Sequence, residues 1–147
     1  MKPIRQVLCA TDFSTTSRRA LDAATAFAKS SNATLTILHV LAPPIVAPEQ
    51  YLDAATMARI DKRGREWSIA ELQKLSKRAT RAGVETTLLV RHGDPADQIV
   101  RASRTAKADL IVTGTHGRRG WKRIFLGSVA QRVVALASCP VVTVRGK

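Results

Sequence analysis

The chain has 147 residues, a length that fits one globular domain with a core of its own and is too short for two full ones. Apolar residues make up 45% of it and aromatic residues 4%, enough apolar side chain for a core but few rings for stacking on single-stranded bases. Twenty-four Lys and Arg against eleven Asp and Glu give a formal charge of +13, so the partner classes to weigh are nucleic acid, an anionic membrane and a phosphorylated ligand.

The first apolar run, residues 7–10, is broken by Thr11 and Asp12 and is too short for the hydrophobic region of a signal peptide. No stretch approaches the roughly 18 apolar residues of a membrane span, and the expected location is the cytoplasm. Residues 7–10 read instead as a buried parallel strand. An alanine-rich helix follows over 14–30, with Ser, Thr and Asp at its start to cap exposed N–H groups. A β-branched strand is expected over 34–40, and the Pro-rich stretch 43–48 as a surface crossover.

The longest helix is expected over 53–82. Met57, Ile60, Gly64, Trp67, Leu72, Leu75 and Ala79 share an arc of roughly 140°, read as a core stripe, and Glu71 is the one charge inside it. Arg59, Lys62, Arg63, Lys74, Lys77 and Arg81 fall mostly outside, as a basic outer face. A third strand over 86–90 leads through Gly93, Asp94 and Pro95 into a helix over 95–105, with Pro at an early helical position. Strand 110–113, helix 128–137 and the short apolar strand 141–144 complete the chain.

Strands alternating with helices predict a single α/β domain over 1–147: an open, doubly wound, Rossmann-like parallel sheet with right-handed crossovers. Such sheets bind ligands at the carboxyl ends of their strands, which singles out Ala10, Thr11 and Asp12 after the first strand and the segment opening at Thr113 and Gly114 after the fourth. Residues 113–129 read TGTHGRRGWKRIFLGSV. Glycines that admit an anion to backbone N–H groups, followed by a helix start at Ser128, make a phosphate cradle; a flexible βα loop with a Ser N-cap fits the same letters. Neither the Walker A loop nor the dinucleotide fingerprint is present.

The spacing Gly114-x2-Gly117-x9-Gly127-Ser128 resembles the ATP-binding signature of the universal stress protein family. The opening VLCATDFS, LHV at the end of the second strand, GDPADQIV, THGRRG, LGSVAQRVV and CPVVTV are similar to that family as well, so the resemblance runs along the whole chain. It implies a five-stranded sheet of order 3-2-1-4-5, binding of ATP or of ADP or AMP, and a homodimer built by pairing of the edge strand Val141–Val144. It further implies that Asp12 meets the ribose hydroxyls, that Val40 meets adenine, and that Gly114, Gly117, Gly127, Ser128 and Val129 contact phosphate and ribose. With Ala10, Thr113 and the cation Arg118 these form the candidate site. Ala130 stands where many nucleotide-binding members carry a hydroxyl, which implies one phosphate contact fewer.

His116, Arg119, Lys122 and Arg123 lie in the same loop, and Arg132 just beyond it, as further cations for an anionic ligand. His39 is expected as a satisfied histidine at the core rim, His92 at the surface, and Cys9 and Cys139 as buried free thiols. No GxSxG, short-spaced carboxylate pair or metal motif is present, so binding is expected rather than catalysis, with Mg²⁺ arriving on the phosphates if at all. Slow ATP hydrolysis, or nucleic-acid binding through the basic helix, are the alternatives.

Overall fold

The computed structural model describes residues 2–43, 52–116 and 126–146. In chain order the elements are β1 (Gln6–Ala10), α1 (Thr15–Ser31), β2 (Thr34–Leu41), α2 (Ala54–Arg81), β3 (Thr86–His92), α3 (Pro95–Thr105), β4 (Leu110–Gly114), α4 (Ser128–Leu136) and β5 (Val141–Val144). The strands form one parallel sheet of order β3-β2-β1-β4-β5, the order that the sequence resemblance implies.

Local chemistry sets the helix starts. The Ser14 side chain accepts from Ser17 N, Asp53 from Thr56 N and Asp94 from Asp97 N, each using an otherwise orphaned N–H of a first turn. Pro95 follows its cap at a position where a missing N–H costs nothing. At the fourth helix the cap is Gly127, with no side-chain cap bond, so Ser128 is the first helical residue and not the cap.

Alternation along the buried strands sorts the core into two layers. Val7, Cys9, Leu35, Ile37 and Val112 face α1 and α2, while Leu8, Ala10, Leu38 and Ile111 face α3 and α4. Six large side chains, Leu8, Leu35, Ile37, Leu38, Leu72 and Ile111, are sealed from solvent, and each is worth about 1.5–3 kcal/mol of transfer free energy. Of the thiols, Cys9 is buried and Cys139 only half-buried, and both are free.

The core stripe expected of α2 holds only in its second half. Ser68, Leu72 and Ala79 are buried, but Ile60 is 42% and Trp67 48% exposed. Gly64 explains the exposure of Ile60: a Cβ at Gly64 would stand 3.7 Å from both methyl carbons of Leu41, the last residue of β2. Residues preceding Gly64 therefore run past the end of the sheet with no strand beneath them. Ser68, unremarked in the sequence, is tolerated in the core because its hydroxyl donates to Gly64 O at 2.7 Å. Glu71 is half-buried and pairs with Lys74 at 2.6 Å.

Candidate functional site

Strand β1 connects toward β2 and β4 toward β5, so the loops leaving β1 and β4 diverge and open a crevice at the carboxyl edge of the sheet. The crevice is a cleft of about 520 Å³, within the usual range for small-molecule sites. Its apolar wall is Ala10, Leu38, Val40 and Ile99, and its polar groups include Thr11, Asp12, Ser17, Thr113, Thr115, His116 and Ser128.

All the described residues of the candidate site line this one cleft: Ala10, Asp12, Val40, Thr113, Gly114, Gly127, Ser128 and Val129. Gly117 and Arg118 lie outside the described residues, as do Arg119, Lys122 and Arg123. Pro95, Ile99, Leu38, Ser17 and Thr115 also line the cleft and were not singled out from the sequence. Ile99 and Leu38 belong to plain apolar runs, and only the crossing of α3 over the sheet marks their upper ends as cleft wall. Ala130 is buried at 3% exposure, and α4 presents no hydroxyl there.

The turn after β1 is fixed from several directions. Asp12 Oδ1 accepts from Ser14 N at 3.0 Å, an arrangement that engages one of the two carboxylate oxygens. Thr11 Oγ1 accepts from Phe13 N and meets Ser17 Oγ, each at 3.0 Å. His39 donates from Nδ1 to Thr11 O at 2.8 Å, since a carbonyl can only accept, and its half-buried ring sits 4.5 Å from that of Phe13. Phe13 adopts φ +65°, a conformation bulky residues rarely hold, with Trp67 edge-on at 5.2 Å. The expected rim histidine is thus a brace for the turn that carries Asp12. His92 is exposed, as expected.

The glycines have a reason other than freedom of φ. Neither Gly114 nor Gly127 has positive φ; Gly127 has φ −61°. A Cβ on Gly127 would stand 2.7 Å from Thr115 O, the carbonyl that accepts from Gly127 N at 2.6 Å. A Cβ on Gly114 would stand 3.0 Å from Thr16 Cγ2 and 3.4 Å from the Thr16 carbonyl carbon. These glycines let β4 close on α1 and let the start of α4 close on the end of β4, which brings the α4 N-terminus to the cleft.

Charge at the rim departs from expectation at one residue. Arg132 does not stand free for an anionic ligand: it forks onto Asp94 at 2.9 and 3.0 Å and reaches Asp97 at 2.9 Å. The Asp97 backbone N–H first, then Arg132, holds the Asp94 carboxyl below its ordinary value. These contacts tie α4 to the start of α3. Burial, with a smaller contribution from Asp22, pushes the Cys9 thiol up to about 12, which makes it a packing group and not a nucleophile.

A doubly wound parallel sheet with a cleft at its switch point, a carboxylate on the β1 turn and the N-terminus of α4 beside it define an open α/β architecture with a ligand-sized cleft at the carboxyl edge. Residues 3–145 match the model of the universal stress protein family, and the chain belongs to that family. It is 33% identical over 150 residues to universal stress protein YxiE of Bacillus subtilis, covering 95% of this chain and 98% of that one. The solved structure of MJ0577 from Methanocaldococcus jannaschii superposes with a TM-score of 0.85 at 25% identity, over 99% of both chains. A universal stress protein solved in complex with cAMP gives a TM-score of 0.74 at 28% identity over 98% of both chains. Among the described residues no helix is long and apolar enough to cross a membrane.

Proposed function

We propose that this protein binds an adenine nucleotide, ATP or its relatives ADP and AMP, in the cleft, and that occupancy changes how it meets other proteins in a cytoplasmic stress or signalling response. The observation that carries the reading is the convergence of residues from β1, β2, β4 and α4, far apart in sequence, on one cleft of about 520 Å³. The relative with cAMP supports the ligand class. The residues suit such a ligand: the Asp12 carboxylate accepts from a diol, Val40 and Leu38 cover a purine face, and Ser128, free of capping duty, offers its hydroxyl beside the first N–H groups of α4. Bound phosphates bring Mg²⁺ with them in the usual way. The reading is one of binding without turnover, since no general base for hydrolysis is assigned.

Calorimetric titration with Mg-ATP, repeated with ADP and AMP, tests it. Saturable binding is expected, with about 2.7 kcal/mol of added stability at a hundredfold excess over Kd and a matching rise in melting temperature. Absence of both would end the proposal. The reading extends to a homodimer: β5 is four half-buried residues at the sheet edge, and pairing with a second copy would cover it. Light scattering showing a monomer at micromolar concentration would remove that part alone.

A further inference from the structure

Unpaired cations gather on the outer face of α2. Arg59, Arg63, Trp67, Lys74, Lys77 and Arg81 follow one another at four, four, seven, three and four residues, so they fall within an arc of roughly 80° that runs straight along the helix. All six are exposed, on the side opposite the buried Ser68, Leu72 and Ala79, and the row is about 33 Å long. Glu66 and Glu71 flank it and are engaged by Lys62 at 4.0 Å and Lys74 at 2.6 Å. Among the described residues Arg59, Arg63, Lys77 and Arg81 make no ion pair, whereas Arg132 on the other layer is held by two carboxylates. No residue of α2 lines the cleft, so a ligand bound there leaves this charge unexplained.

The ring inside the row selects the kind of polyanion. Trp67 is 48% exposed, and its centroid stands 5.2 Å from that of Phe13 with the two rings at 80°. An edge contact of this kind fixes the indole without a stacked partner and leaves ring surface for one. Arg63 precedes the ring by about one turn and Lys74 follows by about two. A fixed ring between cations on one line suits an unpaired base whose phosphates run along the helix. A duplex keeps its bases stacked on one another and presents two lines of phosphates. A bilayer is met by helices with a broad apolar face, and α2 exposes only Ile60 and Trp67 as large apolar side chains.

We infer that the outer face of α2 docks single-stranded nucleic acid: the five cations of the row meet its phosphates and Trp67 stacks on a base. One ring serves one base, so the low aromatic content of the chain is no obstacle. This surface is separate from the cleft and does not depend on what the cleft binds.

Fluorescence anisotropy on the full chain tests it, with a short labelled oligouridylate and oligothymidylate, a duplex of the same length, and phosphatidylserine vesicles as competitor. At least one strand should bind at physiological salt, more tightly than the duplex and undisplaced by the vesicles, with log K falling against log salt at a slope of about −3. Arg63→Gln combined with Lys77→Gln, at exposed positions without ion pairs, should flatten that slope by about 1.4. Trp67→Ala should lower affinity about tenfold with the slope unchanged, and Trp67→Phe should recover part of the loss. AMP should not displace the strand. Binding of neither strand, tighter binding of the duplex, displacement by the vesicles or by AMP, or full affinity in Trp67→Ala would each overturn the inference. Should Trp67→Ala fail to fold, the double variant decides: a flattened slope upholds the row of cations as the binding surface, and an unchanged one overturns it.

Discussion

The two ends of the parallel sheet are built to different ends. At the amino edge the chain satisfies itself: Asp109 accepts from the backbone N–H groups of Arg5 and Gln6 at 2.9 and 3.1 Å and pairs with Lys2 at 3.0 Å, while Asp109 N returns a bond to Gln6 O. At the carboxyl edge stand an open cleft and a phenylalanine at φ +65°. In parallel sheets every loop at one edge leads from strand to helix, and every helix starts there. Exposed N–H groups accumulate at that edge, and the opposite edge is free to be sealed. The contrast separates residues that hold the fold from residues that line the cleft, and substitutions can break it from either side.

The largest effect is expected at Gly127. Placing a Cβ 2.7 Å from the Thr115 carbonyl forces the start of α4 away from β4, so Gly127→Ala should cost about 3 kcal/mol of stability and abolish nucleotide binding together. Chemical denaturation and AMP titration on the same sample measure both. Retained affinity in a stable variant would show that the α4 start need not sit against β4.

At the sealed edge the expectation reverses. Asp109→Ala leaves two backbone donors without an acceptor and should cost about 1–2 kcal/mol, while nucleotide affinity is unchanged. The Arg5 N–H, then Lys2, holds the Asp109 carboxyl below its ordinary value. A carboxyl with a lowered folded-state pKa adds stability that is complete above the unfolded value, near 4, and is lost as pH falls through the lower folded value. Melting curves of wild type and variant should therefore stay apart at neutral pH and converge below about pH 4. A constant gap down to pH 2 would mean that the charge is not what Asp109 contributes.

The strands, the helices and the sheet were the legible part of the chain. Cap residues at the start of the first helix, the Gly93-Asp94-Pro95 entry to the third, and β-branched runs such as residues 34–40 are local signals, and they placed the elements within a few residues of where they lie. The glycine spacing and Asp12 pointed to the carboxyl ends of β1 and β4, where the cleft lies. What stayed hidden depends on distant partners. Arg132 meets Asp94 and Asp97 across 38 and 35 residues, so its charge reads as available until α3 and α4 are seen side by side. Ile99, Leu38 and Pro95 become cleft wall only through the crossing of α3 over the sheet. The glycines were read as anion contacts, and their close approach to Thr115 and Thr16 needs coordinates to be seen.

Periodicity has the same blind spot in α2, and the smallest predicted effect follows from it. A hydrophobic arc reports which side of a helix is apolar but not where the surface beneath it stops. At 28 residues α2 is roughly 42 Å long, against about 26 Å for the eight residues of β2, so its first turns overrun the sheet even though Ile60 lies on the apolar side. Ile60, at 42% exposure, has little buried area to lose. Ile60→Ser should therefore change stability by no more than about 0.5 kcal/mol and leave AMP affinity unaltered, measured by the denaturation and titration used for Gly127. A loss above about 1 kcal/mol would mean that the overhang is packed in solution. The open edge would then share the folding load that the contrast between the two ends assigns to the sheet and its sealed edge.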